Sequence, residues 1–116
     1  MASWDDVVAI GRKLPDTVAA TWYGTPSLKV AGKGLCRLRT EAEGGLVILC
    51  DVETKEALLD SGDPAFYTTP HYDGYGAIIV NLRKINRSQL AAMLREAWRI
   101  KAPPKVRQML DRKEDP

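Results

Sequence analysis

Hydrophobic residues recur along this chain with two periods, one helical and one of alternate positions. After Ser3, a candidate N-cap, and the first-turn acids Asp5 and Asp6, the residues Val7, Ile10, Gly11 and Leu14 share one helical face. That predicts a helix over residues 4–14, stopped by Pro15. The period then drops to two. Residues 17–23 are rich in β-branched and aromatic side chains and are broken by Gly24-Thr25-Pro26. Leu28 and Val30 alternate with Ser27 and Lys29, Ala31-Gly32-Lys33 turns the chain, and residues 35–40 alternate again before a polar hairpin at 41–45. Residues 46–50 are continuously apolar, as in a central strand covered on both faces. Thr54 can cap a short helix through Leu59, and residues 77–82 read as the last strand. Asn86 caps the longest helix, 87–101, whose stripe is Leu90, Met93, Leu94, Ala97 and Trp98; Pro103 and Pro104 end it, and a basic helix follows over 105–111. The order α-β-β-β-β-α-β-α-α predicts an α+β fold, a mainly antiparallel sheet packed by N- and C-terminal helices, in one domain spanning 1–116.

Strand register follows from charge. A three-residue loop at 31–33 puts Leu28 and Val30 on one face with Cys36 and Leu38, leaving Lys29, Arg37 and Arg39 on the other. A two-residue loop would send the arginines among the leucines, at the expense of burying unpaired charge. A five-residue hairpin at 41–45 would set Cys36 opposite Cys50, near bonding range for a disulfide.

Composition narrows the class. With 116 residues, 45% apolar, the chain has the size and content of one globular domain, which excludes a disordered tail, a collagen-like fibre and a disulfide scaffold. No run reaches the roughly 18–20 apolar residues that cross a bilayer, and acids stand where a signal peptide carries Lys or Arg. A soluble, monomeric, cytoplasmic protein without a membrane partner is expected. The net charge of +2 hides an asymmetry: residues 1–82 hold 7 Lys/Arg against 11 Asp/Glu, and residues 83–116 hold 10 against 4. The basic end suits an acidic partner such as nucleic acid, or is the charged surface any soluble helix needs.

Candidate chemistry is sparse. Cys36 and Cys50 lack further ligands at metal-binding spacing and read as buried, reduced thiols, so no metal and no cofactor is expected. The segment 66–76 is unusual: it holds four of the five Phe/Tyr residues and the single histidine. Tyr67, His71, Tyr72, Asp73 and Tyr75 are the candidates there, either stacking on a ring-bearing ligand or packed down as a strap over the sheet. No nucleophile elbow, phosphate loop or HExxH motif is present, and His71 beside Asp73 makes no triad, so no catalytic residue is assigned and an enzyme is not expected. Two basic sets suit phosphate: Lys29, Lys33, Arg37 and Arg39 on one ribbon, and Arg83, Lys84 and Arg87 around the start of the long helix.

Several segments resemble the MmcQ/YjbR family of small bacterial proteins. They are Trp4-Asp5-Asp6-Val7-Val8 with Leu14-Pro15, Trp22-Tyr23-Gly24-Thr25-Pro26-Ser27, Val30-Ala31-Gly32-Lys33-Gly34, Thr69-Pro70-His71-Tyr72-Asp73-Gly74-Tyr75 leading into Val80-Asn81-Leu82, and Ala97-Trp98 with Ala102-Pro103. The resemblance implies a compact α+β domain likened to frataxin and to the double-wing domain of a transcription factor, hence a DNA-binding label. It transfers no active site and no cofactor. Many members carry an apolar or aromatic residue in the final strand where this chain has Ala77 and Asn81. The expected function is therefore a non-enzymatic DNA-binding domain acting through phosphate contacts. The alternative is a module that binds a protein or small ligand with the His71–Tyr75 loop.

Overall fold

A computed structural model describes residues 2–22, 24–39 and 45–114. Helix α1 (Trp4–Gly11) leads into strands β1 (Thr17–Trp22), β2 (Thr25–Val30), β3 (Lys33–Leu38) and β4 (Gly45–Leu49). Helix α2 (Val52–Asp60) follows, then the two-residue strand β5 (Phe66–Tyr67), a single 3₁₀ turn over Pro70–Tyr72, strand β6 (Ala77–Asn81), and helices α3 (Arg87–Lys101) and α4 (Pro104–Glu114). The strands form one antiparallel sheet in the order β1-β2-β3-β4-β6-β5. The expected α+β class holds, with β5 and the 3₁₀ turn as additions.

Local signals explain the helix ends. Ser3 and Asp6 close a capping box on α1, with the Ser3 amide donating to Asp6 Oδ2 at 3.0 Å. The helix ends at Gly11, three residues before the expected stop, and Leu14 stays buried on a tighter turn whose amide donates to the Gly11 carbonyl at 3.0 Å. Helix α2 starts ahead of expectation because its cap is Asp51: the Thr54 amide donates to Asp51 Oδ1 at 2.7 Å, so Thr54 lies inside the first turn. Asn86 caps α3 as read, in a box with Gln89.

Helices α1 and α3 cover one face of the sheet and enclose the main core. Trp98 fills its centre, fully buried, and its indole Nε1 donates to the Pro15 carbonyl at 2.9 Å, which ties α3 to the α1–β1 junction. On the other face, here called the outer face, a smaller cluster of Val47, Ala77 and Ile79 lies beneath Tyr67 and Tyr72. Strand β4 is thus covered on both sides, as its unbroken apolar run predicts.

The β2–β3 hairpin corrects one expectation and keeps its consequence. The loop has two residues, Ala31 and Gly32, both at positive φ (49° and 80°), because Val30 pairs with Lys33. That is the turn geometry whose twist suits an antiparallel hairpin, and glycine adopts it without strain. The arginines still face away from the core because β3 carries an extra residue: Lys29 pairs with Gly34 and Leu28 with Cys36, so Leu35 forms a bulge.

The cysteine pairing is also corrected. Cys36 lies opposite Ile48, not Cys50, since Leu38 pairs with Leu46, and both cysteines are free thiols. Of the expected hairpin at 41–45, Gly45 belongs to β4 and the rest lies outside the described residues.

Candidate functional site

The outer face holds a cleft of about 800 Å³. Its floor is apolar, from Leu35 on the bulge, Val47 and Leu49 on β4, and Ala77 on β6. Arg37 stands on β3 and Arg39 just past its end. His71, Tyr72 and Tyr75 come from the 3₁₀ turn and the loop behind it, and Trp22 from the end of β1. The ribbon arginines and the aromatic loop, separate candidates in the sequence, line one cavity.

Each wall has a physical cause. Tyr72 is half-buried with its ring on Val47, Ala77 and Ile79, and its hydroxyl accepts a hydrogen bond from the Arg37 guanidinium. His71 meets Tyr72 edge-on, with centroids 4.9 Å apart, and lies nearly parallel to Tyr75 at 6.4 Å. Tyr75 is 62% exposed. The segment is therefore strap and wall at once: Phe66, Tyr67 and Tyr72 pack down, while His71 and Tyr75 face outward.

What holds the strap is Lys55, which no sequence signal singled out. Only 5% exposed, it projects from α2 and donates to the main-chain carbonyls of Tyr72 and of Tyr75, the second at 3.0 Å. A lysine at one position of a short helix reads as solvated surface, and its partners are backbone atoms that carry no sequence signature. The loop's far end is fixed to β4, where the Cys50 amide donates to the Gly76 carbonyl at 3.0 Å.

Trp22 forms the opposite wall. It pairs with Thr25 across β1–β2, yet its six-membered ring lies against Gly34, two strands away, where a Cβ would collide with it. That diagonal crosses β2 at Ser27, which pairs with Ala20 and Arg37. Ser27 is fully buried and its hydroxyl has no hydrogen-bond partner among the described residues.

The other candidates scatter. Lys33 is exposed at the hairpin tip opposite Val30, and Lys29 is half-buried opposite Gly34, on the other side of the ribbon. Arg83 and Lys84 are exposed in the turn after β6. Arg87 sits in the helical layer, paired with Asp6 of α1 at 3.5 Å, in a groove with Ile10, Ala91 and Leu110. Tyr67 is half-buried near Gly45 and Asp73 is exposed; neither lines the cleft. Cys36 lies in the core, where burial pushes its thiol up to about 12, and burial together with neighbouring Asp51 also raises Cys50. Among the described residues no three His, Cys, Asp or Glu side chains converge on a metal position. No described helix is long and apolar enough to cross a membrane.

Fold and cleft together define a small α+β domain whose antiparallel sheet is packed by helices on one face and indented on the other. The chain belongs to the YjbR family, whose model matches residues 12–100. It is 32% identical over 120 aligned positions to an uncharacterized protein of Mycobacterium tuberculosis and to one of Mycobacterium bovis, covering 91% of this chain and 93% of each relative. It also shares its fold with a Deinococcus radiodurans protein of known crystal structure carrying a DUF419 family-model domain. That superposition has a TM-score of 0.75 at 19% identity and covers 96% of this chain and 89% of the other.

Proposed function

We propose that this protein is a non-catalytic binding module of the cytoplasm that takes a small anionic molecule into the outer-face cleft. The supporting observation is the convergence of Arg37 and Arg39 with four ring side chains around one concave, apolar-floored cavity of about 800 Å³. Cavities of roughly 300–1,000 Å³ with an apolar lining and a few convergent polar groups are the usual form of a small-molecule site. Two cations give that lining a sign, and no Asp or Glu stands among the described residues that line it. The two free thiols suit a reducing compartment.

The test is a fragment screen by amide chemical shifts on the full chain. Shifts that cluster at Gly34, Arg37, Leu49, Tyr75 and Ala77 support the module. Fragments that gather elsewhere, or nowhere, refute it.

Duplex DNA is the second reading, favoured by the exposed Lys33 at the hairpin tip with Lys29 and Arg37 on the same ribbon. It draws on the double-wing likeness of the family, with Arg83, Lys84 and Arg87 as further phosphate contacts. Against it, Arg87 is engaged by Asp6 in the helical layer and Arg37 by Tyr72. Fluorescence anisotropy of a random duplex between ~50 and ~200 mM salt decides it, since each phosphate contact adds to a log-linear salt slope. A steep slope abolished by reversing Lys29 and Lys33 would establish DNA binding, and a flat titration would end it.

A further inference from the structure

We infer that the cleft selects an aromatic anion, a planar ring bearing a phosphate or carboxylate. The ring sits between Trp22 and Tyr75 and the anionic group at Arg37 and Arg39. This rests on the small-molecule reading above and names the class of ligand.

Ring recognition follows from how the walls are built. Trp22, His71, Tyr72 and Tyr75 are four of the chain's nine aromatic or imidazole side chains, and they surround one cavity. Tyr75 presents its ring to solvent with His71 stacked on it, and Trp22 lies across the side-chain-free Gly34. An exposed tyrosine ring and a half-buried indole lining one cleft favour a flat guest, since ring stacking is worth about 1–3 kcal/mol for a base and tolerates many ring types. The floor of Leu35, Val47, Leu49 and Ala77 offers no hydrogen bond to a guest's ring edge from its side chains. It therefore selects for flatness and not for a particular pattern of donors.

Anion recognition follows from the pinned arginine. The Tyr72 hydroxyl accepts from Arg37, Tyr72 is seated on the outer cluster, and its carbonyl is held by Lys55. The guanidinium direction is thus fixed before any ligand arrives, which lowers the entropy lost on binding. Arg39, two residues further and just past the end of β3, adds the second charge. Planar guanidinium groups match the oxygens of carboxylate and phosphate, so both head groups fit and the cleft's chemistry is common to the two.

The test titrates the full chain with four probes, following amide shifts and heat: adenosine 5′-monophosphate, indole-3-acetate, adenosine and inorganic phosphate. At least one of the two ring-bearing anions is expected to bind ~10-fold or more tightly than both adenosine and phosphate, the factor that 1.4 kcal/mol provides. Tyr75→Ala, at an exposed position that leaves the fold intact, should weaken that anion by a similar factor, and so should Arg37→Gln with Arg39→Gln. Adenosine binding as tightly as its monophosphate, with cleft amides shifting, would overturn the aromatic anion and leave the module standing. Phosphate alone binding as tightly as either ring-bearing anion would do the same. Cleft amides that respond to none of the probes, while the fragment screen finds other ligands there, would overturn the class alone. Silence in both experiments would overturn both.

Discussion

Replacing Lys55 is the sharpest test of how the cleft is held. The buried ammonium donates to the carbonyls of Tyr72 and Tyr75, and hydrogen bonds to charged groups contribute about 1.5–3 kcal/mol each. Opposing that gain is the cost of burying the ammonium, several kcal/mol for an ion withdrawn from water. Lys55→Met keeps the stem's volume, removes the charge and strands two carbonyls, one of which water can reach through the exposed loop. The net loss should be about 2–3 kcal/mol, a large share of the 5–15 kcal/mol typical of a domain. With a urea slope of about 2 kcal/mol/M, the midpoint falls by about 1–1.5 M with the slope unchanged. Hydrogen exchange locates the effect. The Tyr72 and Tyr75 amides, which donate to Thr69 and Tyr72 at 2.9 and 3.1 Å, should lose protection while those of β4 and β6 keep theirs relative to global unfolding. A Met variant with an unchanged midpoint and protected Tyr75 would show that Lys55 holds nothing.

Three further outcomes follow from the packing. Gly11→Ala gains helix propensity of up to ~1 kcal/mol, but its Cβ would stand 2.5 Å from Leu28 Cδ1 in the core, so overpacking of about 1–3 kcal/mol wins and urea denaturation should show a net loss. Trp98→Phe removes the donor to the Pro15 carbonyl and leaves a void at the core's centre; a loss of about 2–4 kcal/mol is expected, and a melting temperature within a degree of the parent would contradict it. Cys36 has its folded value pushed to about 12 from an ordinary 9.0, so the folded chain keeps a proton that the unfolded chain gives up. Its stabilising contribution is complete below pH 9 and declines as pH rises towards 12; Cys36→Ala should flatten stability against pH across that window, and an identical slope in both proteins would exclude the thiol as the cause.

Elements whose signals are local and redundant were legible, and those that depend on a partner strand were not. Helix α3 runs from 87 to 101 as read because Asn86 and Gln89 close a box at one end and Pro103 bars continuation at the other. Helix α2 started early because two cap-forming residues, Asp51 and Thr54, stand three apart, and only the first can be the cap when its carboxylate takes the amide of the second. Strand β5 is two residues long, too short for any alternation, and exists because Phe66 and Tyr67 pair with Val80 and Ile79. The Cys36–Cys50 alignment failed for a similar reason. Hairpin register there depends on loop length, and moving the loop by one residue shifts every cross-strand partner by two.

The site was legible as parts. Its assembly depended on strand pairing, and the register of β2 with β3 was reached differently from the simplest reading. Charge alone required Lys29, Arg37 and Arg39 to leave the core, and a longer loop was the simplest way to arrange it. The chain keeps the tight Ala31-Gly32 turn and spends its extra residue within β3, where Leu28 faces both Leu35 and Cys36. Strand β3 and the residue after it bring Leu35, Arg37 and Arg39 to the cleft within five residues, and the Tyr72 strap, laid across β4 and β6, supplies the rings. An aromatic loop and a basic ribbon more than 25 residues apart in sequence are compatible with two separate sites. Antiparallel pairing of β3 with β4 and of β4 with β6 sets them side by side on the outer face, so a single occupant can meet both.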